Sequence, residues 1–280
     1  MGLRVVATKE FLDTRRSYTL AATTALFVVW AGFLAAIQWV PTIYRDSELE
    51  TTTLATMNSM QQSAVFFVPL IGLMLGYAAI VDDRESGSYK LMLSLPHSRA
   101  DFVYGKLLGR TAVIGAAILL GYGTAAAIAI LTYSSFPARI FVLHSLLTLG
   151  YGAVYVSIGI GTSVFMPSRQ KALAVMTGLY ALFLLLWDVA MFGLQLATIG
   201  PELPPGSRLP DWIQFAALLN PSTAFAYAAQ ALVPEFAELT TFPESDAVFL
   251  QNWVGFVVLA GWLFLPATVG YLRFRRLDLR

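Results

Sequence analysis

Long apolar runs alternate with short polar stretches from one end of this chain to the other. The runs fall near Tyr18–Val40, Ala64–Val81, Thr111–Thr132, Ile140–Met166, Ala172–Thr198 and Trp253–Leu272. Each is close to the roughly 20 residues that an α-helix needs to cross about 30 Å of hydrocarbon. The pattern predicts an all-α integral membrane protein with six transmembrane helices. Pro69 and Pro266 lie inside runs and are expected to kink helices that their neighbours support. Gly121, Gly123, Gly150, Gly152, Gly159 and Gly161 predict close approach of backbones within a packed bundle.

The connections differ in character. Pro41 to Ser63 is polar and rich in Thr, Gln and Met, and is expected to be an outward loop. Ile199 to Gln251 is long for a connection and opens with Pro201, Pro204, Pro205 and Pro210. It then turns apolar (DWIQFAALLNPSTAFAYAAQALV), and Pro221 interrupts that run, which predicts two short helices, re-entrant or lying at the outer surface. Leu3 to Arg16 mixes apolar residues with charges, and residues 1–17 read as an amphipathic segment lying in the membrane interface.

Composition agrees with the pattern. Hydrophobic residues make up 57% of the chain and charged residues 12%, whereas soluble domains carry about a quarter charged residues. Cysteine is absent, which excludes disulfides, thiolate metal sites, iron–sulfur clusters and cysteine nucleophiles. With only His97 and His144, a His-rich zinc site is not expected. His97 is expected to hydrogen-bond near a turn, and His144 to sit near the outer interface.

Charge distribution adds orientation. Six spans put both termini on one side. That side collects Arg4, Lys9, Arg15 and Arg16, then Arg84, Lys90, Arg99, Lys106 and Arg110, then Arg169 and Lys171, then Arg273, Arg275, Arg276 and Arg280. The other side holds Arg45, Arg139 and Arg208. Both termini are therefore expected in the cytoplasm.

The polar island Asp82 to Arg110 is more structured than a tether. Gly87 marks a break, and Ser88 to Leu95 fit a short helix ended by Pro96. Tyr89, Met92 and Leu93 share one face, and Leu91 and Leu95 another. A helix apolar on more than one face suits a position between its own bundle and a second protein. Ser98 and Asp101 have the spacing of a capping box at the start of the next helix.

Glu85-Ser86-Gly87, the Leu-rich run Leu91 to Pro96, Ser98-Arg99 and Gly105-Lys106 together resemble the signature of ABC-2-type transporter permeases. Span order, the N-terminal segment and the long last outward connection extend the resemblance over nearly the whole chain. Within that superfamily the chain is most similar to NosY-type permeases, which serve copper-site maturation of nitrous oxide reductase. Val68 to Leu73 running on to Val81, Leu184 to Val189, and Leu218-Leu219-Asn220-Pro221 carry this narrower likeness.

The resemblance implies a single transmembrane domain over 1–280, an ABC-2 (type V exporter-like) bundle in a prokaryotic plasma membrane. It implies a second permease chain, forming a homodimer, and two ABC ATP-binding subunits. Glu85, Gly87, Leu91, Met92, Leu95, Pro96 and Arg99 would form the ATPase coupling segment within 82–110. The chain has no G-x-x-x-x-G-K-[ST] phosphate loop, so ATP is expected on the partner subunit, with no cofactor and no catalytic residue here. The connection 199–251 would meet an outer accessory protein if ATP-driven motion is relayed outward. Lipid surrounds the bundle, and nucleic acid is not an expected partner.

Other residues are weighed on their own. Asp188 is the acidic residue inside a span, about 24 Å along the helix from Ala172. A charge at that depth costs a few kcal/mol, so Asp188 is expected to face the bundle or a wet cavity. It is read either as a substrate- or partner-responsive group or as a hydrogen-bonded brace between helices. Met57 and Met60 would offer soft thioethers to Cu(I) on the outer side, though packing explains them at least as well. Thr148 to Gly152 imitates a potassium-channel filter, but sits inside a continuous apolar run and reads as helix packing. The competing class is an ATP-independent secondary transporter or channel, which needs mid-membrane charge relays beyond Asp188. An intramembrane enzyme lacks a nucleophile–base pair.

Overall fold

The computed structural model describes residues 2–14, 18–37, 53–90, 98–133, 136–200, 209–238 and 247–276. All regular structure among them is helical. In chain order the helices are α1 (Gly2–Thr14), α2 (Tyr18–Ile37), α3 (Thr53–Gly76), α4 (Val81–Ser86), α5 (Arg99–Thr132) and α6 (Ala138–Ser163). Then come α7 (Arg169–Ala181), a π turn (Leu182–Leu186), α8 (Trp187–Thr198), α9 (Asp211–Leu218), α10 (Pro221–Leu232) and α11 (Val254–Arg275).

Five helical stretches are long and apolar enough to cross a membrane: Leu54–Ser86, Arg99–Thr132, Ala138–Ser163, Arg169–Thr198 and Val254–Arg275. The first expected span, Tyr18–Val40, corresponds to α2, a continuous helix over Tyr18–Ile37, with residues 38–40 outside the described residues. The polar loop expected over Pro41 to Ser63 is cut short, because α3 already begins at Thr53. Distant partners make its polar first turns tolerable inside the bundle. The Thr56 and Tyr133 hydroxyls lie 2.6 Å apart, Gln61 faces His144 at 3.3 Å, and Trp30 Nε1 donates to Ser63 Oγ at 2.9 Å.

Met57 and Met60 are consequently buried in the core rather than presented on an outer loop. His144, in the second turn of α6, is buried as well, stacked on Tyr122 with ring centroids 5.9 Å apart.

The core is built around α6, which packs against α3, α11 and α5. Tyr151 and Tyr155 are fully buried on it. Two glycines set its spacing. A Cβ on Gly159 would come within 2.7 Å of Gly76 Cα, and one on Gly161 would collide with the Pro266 carbonyl. Gly121 and Gly152 also pack against neighbours, whereas Gly123 and Gly150 have nothing over them. The run Thr148 to Gly152 lies within continuous α6.

The stretch Arg169–Thr198 hangs outside this core. Only 17% of its most apolar window is buried, against 67% for Ala138–Ser163. The helical pair α9–α10 folds back into the bundle, and its turn rests on residues midway along α6, the π turn and α11.

Candidate functional site

The island Asp82 to Arg110 is assembled from α4, the turn after it and the first turns of α5. α5 starts as its sequence predicts. Ser98 Oγ accepts the Asp101 N–H at 3.0 Å, and the Asp101 carboxylate accepts the Ser98 N–H at 3.0 Å, a reciprocal capping box. α4 ends where Gly87 takes φ 74°, a left-handed conformation that costs glycine little. Residues 88–90 are helical again, and Ser88 Oγ donates to Asp83 Oδ1 at 3.0 Å.

At 34 residues, α5 is about 51 Å long. It outreaches about 30 Å of hydrocarbon, so its charged first turns extend past the apolar layer. There α1 lies against it. Gly105 and Gly109 leave room for Val6 and for the α1 backbone at Ala7, which a Cβ at either position would strike.

This close docking buries charge. Lys106, 1% exposed, reaches Glu10 of α1 at 2.5 Å and Asp83 of α4 at 2.8 Å. Arg110 Nε donates to the second Glu10 oxygen at 3.0 Å, and its Nη1 donates to the Leu75 carbonyl near the end of α3. Burial pushes the Glu10 carboxyl up, but Lys106 and Arg110 outweigh it and hold it below its ordinary value of 4.5. One ion cluster therefore joins α1, α3, α4 and α5. Removing a single member of such a set leaves a buried charge uncompensated.

A second set of contacts ties α4 to the α6–α7 connection. Ser163 Oγ accepts the Ile80 and Val81 N–H groups at 3.1 Å each, and Arg84 Nη1 donates to the Val164 carbonyl at 3.0 Å. Glu85 is exposed, and its Oε1 accepts the Arg169 N–H at 3.0 Å, placing a negative charge at the positive end of α7. Arg169 also approaches Asp82 at 3.5 Å. Arg99 lies on the far flank, where its Nη1 donates to the last carbonyls of α11, Phe274 at 3.1 Å and Arg275 at 2.6 Å.

Of the residues predicted from sequence, Glu85, Gly87 and Arg99 thus stand along one charged end of the bundle. Leu91, Met92, Leu95 and Pro96, with His97, lie outside the described residues. Asp188 is not part of this end, and it does not face the bundle as expected. It is exposed on α8, a helix with no buried residue, among the exposed apolar side chains Leu185, Val189 and Phe192. The outward direction follows from how little of Arg169–Thr198 the core covers. Among the described residues no group of three or more His, Asp or Glu side chains is placed to hold a metal ion.

Sequence reasoning missed Glu10, Asp83 and Lys106 as partners. Glu10 is one of two acidic residues in α1, beside Asp13, and Lys106 was read only within the Gly105-Lys106 motif, so neither segment points to its partner.

The chain was compared with known proteins. Residues 4–279 match the family model described as ABC-2 family transporter protein. The chain is 30% identical over 260 residues to the protein named "Probable ABC transporter permease protein NosY" of Pseudomonas aeruginosa, covering 89% of this chain and 92% of that one. It is 29% identical over 224 residues to the protein of the same name from Stutzerimonas stutzeri, covering 79% and 78%. With five apolar helices long enough to span a bilayer and a family match over nearly its whole length, the chain is a multi-pass membrane protein and belongs to the ABC-2 family of transporters.

Proposed function

We propose that this chain is the permease half of an ATP-driven complex, with the charged end of the bundle in the cytoplasm and ATP held by separate ABC subunits. One observation carries the reading. The segment Asp82 to Gly87 is braced to α1 and α5 through Asp83 and Lys106, and to α7 through Glu85 and Arg169. A subunit bearing on this segment, and on the Leu91 to Pro96 helix that follows, pushes on whole helices rather than on a slack loop. In this orientation both termini are cytoplasmic. The 20 residues of α2, about 30 Å of helix, supply a sixth span.

A second copy of the chain belongs on the outer face of α7 and α8. Asp188 on that face would otherwise meet lipid, at a cost of about 2.5–3.5 kcal/mol on insertion scales. The face also carries Gly178 and Gly193 with nothing within 4 Å of a Cβ, and small residues let helices approach. Within a NosY-like system serving nitrous oxide reductase, the connection 199–251 would meet the outer accessory protein. Met57 and Met60, both buried, favour packing over a copper role.

The test is co-expression with an ABC ATP-binding subunit. The two are expected to co-purify, and Glu85→Lys and Met92→Pro are expected to leave a folded permease whose partner hydrolyses ATP without driving the complex. Normal coupling in both variants overturns the assignment of the coupling segment. Transport by the chain without any ATPase overturns the whole reading.

A further inference from the structure

We propose that Asn220 is the joint through which movement of the spanning helices reaches the outer helical connection. The proposal rests on the ATP-driven reading above and concerns a residue far from the charged end.

The turn between α9 and α10 is gripped from three sides. Asn220 is 2% exposed, and both ends of its amide are engaged. Its Oδ1 accepts the Ser222 N–H at 2.8 Å, capping α10, whose first residue is Pro221. Its Nδ2 donates to the Phe183 carbonyl at 2.7 Å. Next along, Ser222 Oγ shares hydrogen bonds with the Tyr151 hydroxyl at 2.8 Å and the Tyr155 hydroxyl at 3.2 Å, both from α6. On the other side, Trp262 Nε1 of α11 donates to the Leu219 carbonyl at 2.9 Å.

The Phe183 contact differs in kind from the others. Phe183 lies in the π turn Leu182–Leu186, where the Trp187 N–H reaches back to the Leu182 carbonyl. Such a turn is wider than an α turn, and freed backbone groups within a bilayer need outside partners. Asn220 supplies one. The π turn joins α7, tied at the charged end to Glu85 and Asp82, to α8, which carries Asp188. A shift of α7 along its axis therefore moves the acceptor that Asn220 holds, and through its cap the start of α10. The other two grips bind the hairpin to α6 and α11, and the Phe183 ring packs on Tyr155 and Trp262 of the same two helices. Displacing α7 relative to them therefore loads the Asn220 bond, the hydrogen bond that ties the π turn to the hairpin.

Substitutions can cut the bridge and spare the cap. Serine caps helices about as well as asparagine and threonine somewhat less well, but neither presents an amide donor to the Phe183 carbonyl. The chain has no cysteine, so Trp212→Cys, at an exposed position on α9, gives a single labelling site on the hairpin. The complex with its ATPase partner, in nanodiscs, is labelled with a maleimide in the nucleotide-free and the vanadate-trapped states.

The expected result is a labelling rate that differs between the two states, and loss of that difference in Asn220→Ser and Asn220→Thr while ATP hydrolysis and melting temperature are retained. A folded variant that keeps the difference overturns the proposal. Failure of both variants to fold also overturns it, since Asn220 would then be a structural brace. Absence of the difference in the unsubstituted chain overturns the proposal too, whereas failure of the chain to co-purify with any ATPase removes the ATP-driven reading itself, a separate and recognisable outcome.

Discussion

At the charged end, Glu10, Asp83, Lys106 and Arg110 meet as ions, while at mid-depth Asn220, Ser222, Tyr151, Tyr155 and the Phe183 carbonyl meet as neutral groups. Both clusters are buried, and both join helices distant in sequence. The difference follows from what lies within reach. The first turns of α5 extend toward water, so ions can be buried there in pairs with their desolvation offset by close partners. Midway along a spanning helix such as α6, charge without a partner is costly, and amide and hydroxyl groups make the links. Ion clusters are all-or-nothing, because removing one member strands the rest. Neutral links are weaker singly and can be altered one at a time. The charged end is thus built to stay assembled, and the mid-depth turn to yield.

The sharpest way to break this contrast is at its most buried cation. Lys106→Met leaves Asp83 without its cation and Glu10 with Arg110 alone, and a loss of about 3–5 kcal/mol is expected, read as a lowered melting temperature in detergent with α1 newly open to protease. A loss under about 1 kcal/mol would mean that water already reaches the cluster.

Acid should act on the same cluster more gently. The carboxyl of Glu10 is lowered in the folded chain, so its contribution is full above the ordinary carboxylate range and is lost as pH falls through the lowered value. Protease release of α1 should rise on acidification, and Glu10→Gln should remove that pH dependence. The hairpin turn contains no carboxylate and should stay protected over the same range.

The smallest effect is expected at mid-depth, where Ser222→Ala removes links to two tyrosines. Neutral hydrogen bonds contribute about 0.5–1.5 kcal/mol each, and about 0.6 on average inside membranes. Thermal unfolding should shift by correspondingly little. A drop as large as that of Lys106→Met would erase the distinction between the two clusters.

Much of this molecule is written locally in its sequence. The Ser98–Asp101 box and the Gly87 break depend on neighbours a few residues apart and appear where the pattern puts them, and five of the six expected apolar runs are helices long enough to span a membrane. What was not legible depends on distant partners. Residues Thr53 to Ser63 look like a loop until Tyr133, His144 and Trp30 arrive to satisfy them. Glu10 and Lys106 are 96 residues apart, and nothing in either segment names the other. Asp188 was placed in a span and expected to face the bundle or a wet cavity, but its direction depends on which face of α7 and α8 the core leaves bare. The part of the proposed coupling segment that could be placed, Glu85 and Gly87, was legible from its motif. That Glu85 also steadies α7 was not.

The unbroken length of α5 has a mechanical consequence. Joined to α1 and α4 at one end and running to Thr132 at the other, it is packed on α2 and α6 along the way. Over about 51 Å of helix, a tilt of about 5° would sweep the far end through about 4 Å. A small rotation at the charged end, carried by α2 and α6 together with α5, would therefore become a displacement about the size of a water molecule or larger at the other end of the helix.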